Sequence, residues 1–159
     1  MRFELVSTCA VLAIAFATGF VVLRGGVLNA QAGLFPYEDA EAVATGKELY
    51  DENCASCHGI DLKGQPDWRG VDSDGFMPAP PHDGDGHTWH HPDTLLFMIT
   101  KFGTAAMVGG DYKSNMAGFD GILSDDQILH TLAYIKSTWS PRLIEMHNTV
   151  NADANLAGN

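Results

Sequence analysis

Apolar residues change their rhythm several times along this chain. From Leu5 to Leu23 they run on for 19 residues without a charge. Residues 24–37 are glycine-rich and weakly patterned. A helical period then begins: Val43, Gly46, Leu49 and Tyr50 fall on one face, which predicts a helix from about Asp39 to Asn53. Residues 59–91 are dense in glycine and proline and read as loop. Pro92, a favoured first-turn residue, opens a middle helix whose Leu95, Leu96, Ile99 and Phe102 recur at helical spacing, with Gly103 as its stop. The capping box Ser124-Asp125-Asp126-Gln127 opens the best-patterned helix, with Ile128, Leu129, Leu132, Ile135 and Trp139 on its buried stripe. Pro141 permits a short further helix, and residues 148–159 look like a frayed polar tail.

The pattern is that of one all-α domain with long loops, and no internal repeat is visible. It divides the chain into an apolar segment (1–32), a tether (33–38), the domain (39–147) and the tail (148–159). At 159 residues there is no room for a second core. The middle third has too little apolar periodicity to close a core unaided, so something besides side chains is expected to fill it.

The apolar run would span about 28 Å as a helix, close to the thickness of a bilayer's hydrocarbon core. It exceeds the usual apolar stretch of a signal peptide, and the length favours an uncleaved anchor. Cleavage after Ala30-Gln31-Ala32 is the alternative. Either reading exports the rest of the chain, to the outer face of a bacterial inner membrane or the soluble periplasm. Cys9 lies inside the run and reads as a small buried residue. Beyond residue 32, seven basic side chains face nineteen acidic ones, a charge of −12. That excludes a phosphate-tracking nucleic-acid binder and favours a partner with a basic face.

Cys54-Ala55-Ser56-Cys57-His58 is C-x-x-C-H, the attachment signature for c-type haem. Two thiols three residues apart at a helix end reach the two vinyl groups on one porphyrin edge, and the next residue delivers an imidazole beneath the iron. A thioredoxin-like pair would need a βαβ pattern, and a zinc site would need a second cysteine pair. Neither is present. The second iron ligand has several candidates: Met77, Met98, Met107, Met116, Met146 or a histidine.

Over about residues 39–139 the chain resembles a monohaem class I cytochrome c. The resemblance is carried by ATGKELYDENCASCHG, the PAPP segment, SNMAGF and LSDDQILHTLAYIKSTW. It implies the cytochrome c fold, in which the first and last long helices cross at right angles around one covalent haem. Gly46 and Tyr50 would there meet Leu132, Tyr134 and Ile135, the missing Gly46 side chain allowing close approach. It also implies Met116 as the axial methionine, although Ala117 stands where the family usually has proline. A proline carbonyl, from Pro80 or Pro81, would accept the hydrogen bond of the other His58 nitrogen.

His82-Asp83-Gly84-Asp85-Gly86-His87-Thr88-Trp89-His90-His91 gathers four histidines. They have the chemistry to hold copper or zinc. The plainer expectation is that Trp89 and one or two histidines contact haem propionates while His91 caps the next helix. The text around them looks like that of a subgroup of bacterial membrane-associated cytochromes. The function expected is electron transfer through one haem c, with no catalysis, because filled axial positions leave no place for substrate. Donor and acceptor would be redox proteins. The rivals are a haem protein with an open sixth position, a fixed subunit of a membrane complex, and a metal-handling protein using the histidine loop.

Overall fold

The computed structural model describes residues 33–158. Six helices form their regular structure: α1 (Ala40–Asn53), α2 (Ala55–His58), α3 (Asp93–Phe102), α4 (Thr104–Val108), α5 (Asp125–Ser137) and α6 (Pro141–Ala157). One turn of 3-10 helix spans Thr88–His90. Among the described residues there is no strand, and isolated bridges join Gly103 to Ala117 and Asp120 to Leu123. The all-α expectation holds.

Local chemistry sets the ends of the main helices. The Asp39 carboxylate accepts from the Glu41 and Ala42 N–H groups at 2.9 and 3.3 Å, starting α1. At α5 the capping box closes both ways: Gln127 N–H donates to Ser124 Oγ at 3.2 Å, and Gln127 Oε1 accepts from Ser124 N–H at 2.9 Å. These two helices form the principal pair of the fold. A Cβ at position 46 would overlap the His130 carbonyl, so only glycine lets α1 lie this close to α5. The meeting point is thus the His130–Thr131 backbone, one turn before the Leu132–Ile135 contact expected. Tyr50 does meet Tyr134, ring centroids 5.4 Å apart. Tyr50, Ile128, Leu132, Ala133, Ile135 and Trp139 make the core, joined by Phe35, Leu62 and Leu96.

The structure corrects the sequence reading at both ends of the domain. Helix α6 runs 17 residues, through the stretch expected to fray. Its polar sequence hides a buried edge. His147 Nε2–H is shared between Asp93 Oδ1 at 3.1 Å and the His91 carbonyl at 3.0 Å. Asn151 accepts from the Asp93 N–H at 2.8 Å and donates to its carboxylate at 3.1 Å. Lys136 Nζ, fully buried, donates to Asn148 at 2.7 Å. The expected tether is docked on the same knot: Phe35 is 4% exposed, donates its N–H to Asp93 Oδ2 at 3.3 Å and stacks on His147. In α3, Met98 and Phe102 are 38% and 41% exposed rather than part of the core. The apolar run 5–23 and Cys9 lie outside the described residues, among which no helix is long and apolar enough to cross a membrane.

Candidate functional site

The end of α1 hands the chain straight to the site. Cys54 ends α1, its N–H on the Tyr50 carbonyl at 2.8 Å, and its own carbonyl accepts from the Cys57 and His58 N–H groups at 3.1 and 2.9 Å. One turn therefore holds both thiols and the imidazole. Cys54 is half-buried and Cys57 exposed, and neither is in a disulfide. Burial, and then Cys57 beside it, pushes the Cys54 thiol up to about 11. The His58 ring is buried, 7% exposed, and its Nδ1 lies 2.9 Å from the Pro80 carbonyl. A carbonyl only accepts, so Nδ1 carries the proton and Nε2 keeps its lone pair. Burial lowers the pKa of His58 against the opposing pull of that hydrogen bond, which keeps the ring neutral.

Of the two prolines the sequence left open, Pro80 is the one beside His58. Pro81 instead turns its carbonyl to Thr88 Oγ1 at 3.5 Å. The Pro80 carbonyl is held by a strap between two loops. Gln65 N–H donates to the Ala79 carbonyl at 2.8 Å, Gln65 Oε1 accepts from Ala79 N–H at 2.7 Å, and His82 N–H donates to the Leu62 carbonyl at 2.7 Å. Gly64 sits at φ 67° in this strap, where a Cβ would strike the Ala79–Pro80 backbone.

Met116 is held by a second strap. Ala117 forms its bridge to Gly103, and the Phe119 and Asp120 N–H groups donate to the Thr100 and Lys101 carbonyls at 3.1 and 2.9 Å. The loop is thereby pinned to the end of α3 without the proline usual in the family. The Thr104 hydroxyl donates to Met116 Sδ at 3.3 Å, which leaves a second sulfur lone pair free. Sequence reasoning missed Thr104, since nothing in the text links it to a residue twelve positions on.

The histidine loop does not converge. His87 lies between Trp68 and His91, both ring centroids at 5.3 Å, while His90 packs against Trp89. Among the described residues no three histidine, cysteine or acidic side chains come together to hold a metal ion. His91 does not cap α3 with its side chain: Pro92 holds that position, and Asn151 meets the Asp93 N–H instead. The Trp89 ring packs on the core, and its Nε1 is covered by protein with no acceptor. It lines an open crevice together with His90, Met146, Thr149 and Val150. His82, the first of the four clustered histidines, lies face to face with His58.

The donor set suits a c-type haem: two thiols and a neutral imidazole on one turn, and a thioether with a lone pair to spare. A family model described as cytochrome c matches residues 43–139. The chain belongs to the cytochrome c family. Cys54 and Cys57 accordingly stand as the covalent attachment points of haem c, whose function is electron transfer. This cytochrome c is also 29% identical over 119 residues to a nitrite reductase of Stutzerimonas stutzeri. The match takes in 71% of the chain but spans only 19% of that protein's length. No solved structure matches significantly. Residues 33–42 and α6, which meet at Asp93, both lie outside the family match.

Proposed function

We propose that this cytochrome c is a one-electron carrier with His58 and Met116 as its axial ligands, working on the exported face of a bacterial membrane. The observation that carries the reading is the His58 Nδ1–Pro80 hydrogen bond of 2.9 Å, which commits one nitrogen to the protein and leaves Nε2 for iron. Haem, when bound, supplies a reversible Fe(III)/Fe(II) couple. The chain supplies the rest. The Pro80 carbonyl orients His58 and makes it a stronger donor. The Gly103–Ala117 bridge and the Thr104 hydroxyl present the Met116 sulfur. With both axial positions filled, electrons pass without bond-making. Residues 5–23 would place the domain at the membrane, and the acidic surface calls for donors and acceptors with basic faces.

A second reading, a fixed subunit of a membrane oxidoreductase, is favoured by the match to one segment of a larger enzyme. Co-purification of a partner in detergent separates it from a mobile carrier.

Met116→Ala tests the ligation. The variant should lose its low-spin spectrum and the weak sulfur-to-iron charge-transfer band, and its potential should fall as water or a histidine takes the position. An unchanged spectrum and potential would move the ligand elsewhere, Met77 being the next to replace.

A further inference from the structure

His82 occupies a place for which the proposed function has no task. Its ring lies against that of His58, centroids 4.1 Å apart and planes 23° from parallel. The residue is tied down on three sides. Its N–H donates to the Leu62 carbonyl at 2.7 Å, its carbonyl accepts from Trp139 Nε1 at 2.7 Å, and its Nδ1 lies 2.8 Å from Thr88 Oγ1. Tyr50 closes the ring's edge at 6.3 Å, nearly perpendicular. Such a fixed partner is more than filler.

An imidazole bound to iron through Nε2 turns about the iron–nitrogen axis. One hydrogen bond from Nδ1 limits that turn but leaves the ring free to rock. A flat ring about 4 Å away removes the remaining freedom, because rocking would drive one imidazole edge into the other. The ring's angle matters electronically. It decides which iron d orbital meets the imidazole π system, and so where unpaired spin spreads over the porphyrin in the ferric state.

We infer that His82 is a positioning residue: by stacking on His58 it sets the angle of the proximal ring and thereby the orientation of the ferric electronic state. The inference rests on His58 being an iron ligand. His82 touches no iron itself, and no proton moves.

The test uses the full-length ferric holoprotein, read by proton NMR of the hyperfine-shifted haem methyl groups and by potentiometry. His82→Leu, which keeps bulk but has no flat ring, should change the order of the four methyl resonances and shift the potential. His82→Phe, which restores a flat ring, should return the wild-type order. Thr88→Val, remote from the ligand, should produce a smaller change of the same kind as His82→Leu by freeing the stacked ring. A wild-type methyl order in His82→Leu would overturn the inference. So would a change that His82→Phe fails to restore, since hydrogen bonding rather than stacking would then be at work. The wild-type spectrum separates this from the reading beneath it: without shifted imidazole ring protons from a coordinated histidine, the ligation itself falls, and the inference with it.

Discussion

A thioether sulfur has two lone pairs, and the Thr104 hydroxyl engages one of those on Met116 at 3.3 Å. With Met116 on the iron as proposed, the hydrogen bond would withdraw electron density from a donor that ferric iron needs more than ferrous iron does. Thr104→Val should therefore keep the low-spin spectrum and lower the potential. A bond worth about 0.5–1 kcal/mol corresponds to roughly 20–40 mV for one electron. Spectroelectrochemical titration checks it, and a potential that rises or stays put would show that the hydroxyl does not tune the sulfur. The contrast with Met116→Ala is useful, because one variant moves the potential at constant ligation and the other changes the ligation.

At the scale of elements, α6 is what distinguishes this fold from the stretch matched by the family model. Its His147 is held below the ordinary histidine value of 6.5, by burial first and then by Lys136, against the pull of Asp93 and the His91 carbonyl. Its Nδ1 is buried without a partner, so a second proton would find no acceptor. The unfolded chain thus takes up a proton near pH 6.5 that the folded chain resists. Stability should be intact above that pH and fall below it, at up to about 1.4 kcal/mol per pH unit until the folded value is reached. His147→Gln should flatten part of that fall between pH 7.5 and 5.5 in thermal melts; the buried His82 contributes a share of the same sign. Parallel curves for the two proteins would contradict the assignment. This knot also marks where the sequence stopped being readable. The capping box of α5 and the C-x-x-C-H turn are local, three or four residues wide, and their chemistry is written in neighbouring letters. Phe35, Asp93 and Asn151 meet across 58 residues on each side. Since α6 buries amide, imidazole and ammonium groups instead of a leucine stripe, no hydrophobic period announced it. The stack of His82 on His58 was hidden the same way, inside a histidine cluster that read as propionate contacts or a metal site, with no spacing rule to pair those two rings.

For the whole molecule, the excess of acidic side chains sets the terms of encounter. Electron exchange with a small cationic complex should be faster than with an anionic one of similar driving force. Raising the salt from about 0.01 to 0.1 M, which shortens the screening length from roughly 30 to 10 Å, should slow the first and speed the second. Stopped-flow measurements at both ionic strengths decide it, and equal salt dependence for the two reagents would place the electron's exit away from the acidic field. The docking of Gly33 to Phe35 against Asp93 and α6 adds a matter of geometry. If residues 5–23 anchor the domain as proposed, a loose 33–38, as the sequence suggests, would put fifteen residues between Leu23 and the domain. With the chain fastened from Gly33 onward it would be nine, a reach of at most about 32 Å. A domain so anchored would sweep a shallow cap above one patch of membrane. On that proposal its redox partners would come to it sideways, as neighbours in the same bilayer, or be small enough to fit beneath that cap.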